Sequence, residues 1–112
     1  MDKTELKNII YYLEKAIKYH NENSYEEFNN NFLEFETCIT LGEGTDWLNF
    51  IYNFLDCWHD TFGHGWLYYE PLKKDDWVEI ANKIIAAAAL DKKFEPIHYK
   101  GKNLTTFFGG NE

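Results

Sequence analysis

The chain of 112 residues contains no arginine. Arginine supplies the planar guanidinium group that grips phosphate oxygens and guanine edges through paired hydrogen bonds. The formal net charge is −8 at pH 7, because 19 acidic residues face only 11 lysines. A surface this negative repels a phosphate backbone, so the composition argues against nucleic-acid binding.

Cysteine is also scarce, with only Cys38 and Cys57. Two cysteines do not make the disulfide framework of a small secreted protein, and each falls among apolar residues, as is typical of a small buried hydrophobe. No apolar run approaches the roughly 18 residues that a membrane-spanning helix needs. Residues 1–10 lack the apolar core of a signal peptide. We therefore expect a soluble, cytoplasmic protein.

Apolar and aromatic side chains are abundant, at 45% and 19% of the residues. This is enough to build one core without disulfides. Apolar residues recur at steps of three and four, the spacing of a helix with one buried face. The pattern predicts a single all-α domain over residues 1–112, a bundle of about four helices near residues 3–20, 25–40, 46–62 and 76–90.

Capping signals predict where these helices begin and end. Ser24 and Glu27 have the spacing of a capping box before the second helix, and Asp76 and Glu79 have it before the fourth. Gly63 is expected to cap the end of the third helix.

The C-terminal tail, residues 91–112, is compatible with two structures. Its residues alternate in polarity around Lys100 and Gly101, which favours a short β-hairpin. An irregular segment lying across the bundle fits equally well.

Lysine is absent between Lys18 and Lys73. Ten acidic residues lie in this stretch, whereas the segments on either side each carry a net charge of +1. Like charges one helical turn apart cost roughly 0.2–0.5 kcal/mol per pair. A helix face of one sign often steers an oppositely charged partner. We interpret the stretch as a docking surface for a basic protein; an acidic surface that has no partner is the plain alternative.

The candidate partner-binding residues are acids of this stretch, together with rings that the apolar stripes do not need. Tyrosine and tryptophan are favoured interface anchors. Basic surfaces belong mainly to proteins that bind nucleic acid, so we expect a nuclease as the partner. The predicted set is Tyr25, Glu26, Glu27, Glu34, Glu36, Asp56, Asp60, Trp66, Tyr68, Tyr69 and Glu70.

The segment DCWHDTFGHGWLYYEP, residues 56–71, is the densest in chemically reactive side chains. Cys57, His59 and His64 provide three possible zinc ligands, but a structural zinc site usually has four, and Cys57 and His59 are expected on different sides of the helix. The adjacent His59 and Asp60 resemble the pair in metal phosphohydrolases of the HD type, but no further His and Asp at suitable positions can be identified. We predict no catalytic residues, no metal and no cofactor, and we assign the rings to packing.

The lysine-free helix SYEEFNNNFLEFET and the aromatic loop HGWLYYEP make the chain resemble the small acidic immunity proteins of bacterial toxin–immunity pairs, including those of contact-dependent inhibition systems. The resemblance is one of size, charge and aromatic content, so it assigns no residue by motif. It implies a cytoplasmic protein that binds and inhibits a cognate toxin. Small acidic phage anti-CRISPR proteins share these features. A metal-dependent enzyme using residues 56–64 and a homodimer formed through the aromatic loop are further alternatives, and the sequence leaves monomer and homodimer both open.

Overall fold

The computed structural model describes residues 3–38, 46–66, 72–90 and 93–108, which contain four long helices and a short C-terminal hairpin. The all-α fold predicted from the sequence is confirmed, and the tail adopts the hairpin. The helices are α1 (Lys3–Asn21), α2 (Tyr25–Cys38), α3 (Asp46–Gly63) and α4 (Lys74–Ala89). The hairpin strands are β1 (His98–Tyr99) and β2 (Lys102–Asn103), and a single-turn helix, α5 (Leu104–Phe107), follows.

The four long helices form a bundle in which α1 packs against α2 and α4, and α3 packs against α2. Aromatic contacts join α3 to α4: Trp58 stacks on Trp77 with 5.9 Å between ring centroids, and Phe54 lies 5.5 Å from the same ring. The order around the bundle is therefore α2, α1, α4, α3. This order makes α2 and α3 neighbours. Neither helix contains a lysine, and we call the surface that they share the α2–α3 side.

The core consists largely of aromatic rings. Trp58 and Trp77 are fully buried at its centre, and Phe28 and Phe54 pack on Trp58 from α2 and α3. Burying one large apolar side chain stabilises a fold by about 1.5–3 kcal/mol. The high aromatic content of the sequence is thus explained mainly by packing, and the predicted apolar stripes face this core.

The end of α3 is a Schellman motif. The Trp66 N–H donates to the Thr61 carbonyl at 2.9 Å, and the Gly65 N–H donates to the Phe62 carbonyl at 3.3 Å. Gly65 has a φ of 71°, the left-handed conformation that this motif requires. The glycine cap therefore lies two residues later than predicted, and Gly63 is part of the helix.

The start of α4 also differs from the prediction. Lys73 occupies the N-cap position, and Asp76 lies in the first turn instead of preceding the helix. The Lys73 N–H donates to Asp76 Oδ2 at 2.8 Å, and the Asp76 N–H donates to the Lys73 carbonyl at 2.9 Å. Asp76 thus accepts a hydrogen bond from the backbone N–H of Lys73, three residues earlier in the chain, and α4 begins at Lys74.

The C-terminal hairpin packs on α4. Lys100 and Gly101 form its two-residue turn with φ values of 49° and 79°, and positive values at both positions are typical of a type I′ turn. Tyr99 Oη lies 2.6 Å from Asp76 Oδ1 and 2.8 Å from Glu79 Oε2, within donating distance of both carboxylates. An isolated hairpin is marginally stable, and these contacts fix this one to the bundle.

Candidate functional site: the α2–α3 side

His59 joins α3 to α2. Its Nε2 lies 2.6 Å from Asn29 Oδ1 and 3.0 Å from Tyr25 Oη, and its ring stacks on Phe32 at 4.6 Å between centroids. Its Nδ1 lies 3.5 Å from Asp60 Oδ1. These contacts set the relative position of the two helices, and hence of the acids that they carry.

Glu36, Asp56 and Asp60 form a group that we call the carboxylate cluster. Burial raises the pKa of Asp56, and the negative charges of Asp60 and Glu36 raise it further, whereas His59 acts in the opposite direction. The Tyr52 hydroxyl donates to Glu36 Oε2 at 2.8 Å. Burial, this hydrogen bond and the charges of Glu36 and Asp56 raise the pKa of Tyr52 to about 12. Acids from both helices thus act on one another across the contact between α2 and α3, which we call the seam.

No lysine of the described residues is paired with the carboxylate cluster. Within the described ranges, the contacts closer than 4.0 Å between basic and acidic side chains are His59–Asp60, at 3.5 Å, and Lys100–Asp76, at 3.0 Å. The lysines of the described chain lie on α1, around α4 and in the C-terminal segment. The α2–α3 side therefore keeps the excess negative charge that the sequence places in the middle of the chain.

Tyr25 lies at the edge of the seam and is 37% exposed. Its ring contacts Phe62 edge-on at 5.5 Å between centroids. Burial and the charge of Asp60 raise its pKa. The structure therefore brings this predicted anchor together with the carboxylate cluster.

The other predicted acids of α2 occupy different positions. Glu26 and Glu27 are exposed in the first turn. Glu34 lies towards α1: burial raises the pKa of Tyr12, and Cys38 and Glu34 raise it further. The predicted acids thus divide between the seam, the start of α2 and the α1 side.

The predicted aromatic anchors after α3 are only partly described. Trp66 is half-buried; it stacks on Phe62 at 5.3 Å and meets His20 edge-on at 4.7 Å. It therefore packs at the edge of the core. The predicted residues Tyr68, Tyr69 and Glu70 lie outside the described residues.

The sequence did not point to Asn29 or Tyr52 as residues of the seam, and it did not show that His59 links the two helices. A signal for part of this was present, because Tyr52, Asp56 and His59 are spaced four and three residues apart and share one face of α3. The partners across the seam required knowledge that α2 and α3 are neighbours.

Cys57 and His59, two of the three residues weighed as possible zinc ligands, lie on different sides of α3. Cys57 is buried in the core, whereas His59 turns towards α2, as their helical spacing predicts. Across the described segments, no three His, Cys, Asp or Glu side chains are grouped so as to hold a metal ion. No helix in those segments is long and apolar enough to span a membrane.

Comparison with protein-family models, with curated proteins and with solved structures found no match. The function proposed below rests on the charge and the geometry of the α2–α3 side.

Proposed function

We propose that this protein is an immunity protein that neutralises a basic bacterial toxin domain by binding it through the α2–α3 side. The partner is a nuclease, because nucleases carry the lysine- and arginine-rich surfaces that bind phosphates. The acidic side occupies that surface in place of the nucleic acid. The encounter takes place in the cytoplasm, where such a toxin reaches its substrate.

One observation carries the proposal: the charges of Glu36 on α2 and Asp60 on α3 both raise the pKa of Asp56, and no lysine of the described residues lies within 4.0 Å of the three carboxylates. Like charges that act on one another in this way destabilise the fold. A cation that docks between them removes the repulsion, and this relief adds to the free energy of binding. Functional sites often cost stability in this way.

Tyr25 supports an interface at the same place. Its ring is large, rigid and 37% exposed, and contacts to Phe62 and His59 hold it in position. Aromatic side chains that are fixed before binding lose little conformational entropy when a partner covers them. Glu26 and Glu27, at the start of α2, extend the negative field towards an approaching basic surface.

The test uses as the partner a basic nuclease toxin domain whose activity this protein inhibits. Complex formation is measured by size-exclusion chromatography, and inhibition is measured by nuclease assay. In the first variant, Glu36→Gln, Asp56→Asn and Asp60→Asn neutralise the carboxylate cluster. In a matched control, Glu14→Gln, Glu22→Gln and Asp75→Asn remove the same charge from exposed positions on α1, the turn after it and α4.

The proposal predicts opposite effects of the first variant on stability and on binding. The free energy of unfolding rises by roughly 0.5–1 kcal/mol as like-charge repulsion is removed, while inhibition weakens at least tenfold. The control variant inhibits like the wild type. Equal loss in both variants, or inhibition that is unaffected by the first, contradicts docking at this side.

A further inference from the structure

His20 is a histidine enclosed in the core at the C-terminal end of α1. It is 1% exposed. Three rings from α3 and the turn after it surround the imidazole: Trp58 at 5.1 Å between centroids, Phe62 at 5.3 Å and Trp66 at 4.7 Å. The residue falls on the buried stripe of α1, four residues after Ala16. It therefore joins α1 to the end of α3.

The hydrogen bond of His20 fixes where its proton lies. The Trp58 indole Nε1–H donates to His20 Nδ1 at 3.0 Å. Nδ1 is therefore an unprotonated acceptor, and the neutral ring carries its hydrogen on Nε2. Protonating Nδ1 would place two donors face to face, so the bond to Trp58 has to break before the imidazolium can form in this position.

The charged groups that act on His20 come from the start of α4. Burial and, to a smaller extent, the Lys74 ammonium lower the pKa of His20 to about 4, although the Lys74 backbone and the Asp75 carboxylate act in the opposite direction. Lys74 is itself held at the end of α1, because its Nζ donates to Asn23 Oδ1 at 2.6 Å. The rings on the α3 side carry no charge. Three helices thus meet around one neutral imidazole.

We propose that His20 is an acid-sensitive latch: protonation of Nδ1 detaches the turn after α3, with Trp66, from the end of α1 while the rest of the bundle stays folded. The free chain has the ordinary histidine pKa near 6.5. The latch is therefore fully closed above that pH, and it weakens as the pH falls from about 6.5 towards 4. Within this window the opening equilibrium shifts by up to about tenfold per pH unit, the limit for one proton.

The turn next to His20 contains a residue in a strained backbone conformation. Trp66 has a φ of 70°, an uncommon conformation for a residue with a side chain. The Trp66 N–H to Thr61 carbonyl bond, at 2.9 Å, and packing on Phe62 and His20 hold it there. Loss of the His20 contact removes one of these restraints, so local opening starts at this turn.

Amide hydrogen exchange by NMR tests the proposal on the full chain, with rates corrected for the intrinsic effect of pH. Between pH 7 and pH 5, protection of the Trp66 amide and of the Trp58 indole N–H falls at least tenfold, while amides in the middle of α2 keep their protection. His20→Gln retains a neutral acceptor and abolishes this pH dependence. His98→Gln, at an exposed histidine of β1, leaves it unchanged. Equal loss of protection throughout the bundle overturns the latch.

A second variant keeps the test decisive if His20→Gln fails to fold. Trp58→Phe removes the N–H donor that opposes protonation of Nδ1, so the closed form accepts the proton more readily and the pH dependence of Trp66 protection becomes shallower than in the wild type. A pH titration of the ¹³C-labelled His20 ring in the wild type gives the same information without a substitution. A pH dependence in Trp58→Phe as steep as in the wild type, or a His20 ring that titrates near 6.5 with Trp66 still protected, overturns the proposal.

Discussion

The phenol of Tyr25 lies directly over Gly63 at the end of α3: a methyl group added to Gly63 would come within 2.7 Å of Tyr25 Oη. The same hydroxyl lies 3.0 Å from His59 Nε2. A glycine inside the last turn of α3 thus gives the Tyr25 ring the space it needs to close the seam between α2 and α3.

Gly63→Ala should displace Tyr25 without unfolding the protein. The added methyl pushes out the end of a flexible side chain, and the gain in helix propensity, about 1 kcal/mol, offsets the lost contacts. We expect a change of less than about 1 kcal/mol in the free energy of unfolding. Nuclear Overhauser contacts between the Tyr25 and Phe62 rings should disappear. Retention of those contacts would show that the ring does not need the glycine.

Gly65→Ala is the matched comparison. Its φ of 71° disfavours any residue with a Cβ, but nothing lies within 4 Å of the new methyl group. We therefore expect the free energy of unfolding, measured by urea titration, to fall by about 1 kcal/mol, with Tyr25 unmoved. Displacement of Tyr25 here would mean that the whole end of α3 shifts, and not the ring alone.

Glu36→Gln should lower the pKa of Tyr52. The hydrogen bond and the charge of Glu36 add to burial in raising this pKa to about 12, so the variant moves it back towards 10. NMR of ¹³C-labelled tyrosine measures the shift. The control is Glu34→Gln: the charge of Glu34 raises the pKa of Tyr12 on α1, so this variant should leave the pKa of Tyr52 unchanged. The same shift in both variants would contradict a specific pair of Glu36 and Tyr52.

Asp76 should make the fold acid-sensitive below pH 4. Burial alone would raise its pKa, but hydrogen bonds from the Lys73 N–H, Tyr99 and Lys100 lower it to about 2. The unfolded chain, with a pKa near 3.8, binds the proton first, so stability is present above pH 3.8 and is lost as the pH falls towards 2. With allowance for solvent screening around the exposed Lys100, the loss is about 1–2 kcal/mol.

Tyr99→Phe measures the same contacts at neutral pH. The variant removes the hydroxyl that serves Asp76 and Glu79, and we expect it to destabilise the fold by about 1–3 kcal/mol and to weaken the acid dependence of Asp76. Urea unfolding at pH 7 and pH 3 checks both effects. Equal destabilisation at the two pH values would mean that the hydroxyl contributes little to the low pKa of Asp76.

The sequence was sufficient to predict the four helices because their apolar residues repeat with the helical period. Cap positions were harder to predict. Gly63 and Gly65 both fit a C-terminal cap, and only the position of the Tyr25 ring shows why the first of them is helical. Aspartate is a residue type favoured at the N-cap, but the Asp76 carboxylate accepts a hydrogen bond from the backbone N–H of Lys73, which lies before it in the chain.

The excess of acid in the middle of the chain was also readable from the sequence, but the seam was not. Tyr52, Asp56 and His59 can be placed on one face of α3 by spacing alone. Their contacts to Glu36 and Asn29 depend on the order of the helices around the bundle, which periodicity does not determine.

The most direct test of the central claim, that the α2–α3 side docks a basic protein, is the rate at which this protein associates with a basic nuclease toxin domain that it inhibits, measured by stopped flow at rising salt concentration. Steering predicts fast wild-type association at low salt that slows steeply as salt screens the field. Glu26→Lys, Glu27→Lys and Glu34→Lys, combined on exposed positions of α2, should slow association at least tenfold at low salt, flatten the salt dependence and leave the fold intact. A wild-type rate that does not respond to salt, or a charge-reversed variant that associates as fast as the wild type, would contradict the claim.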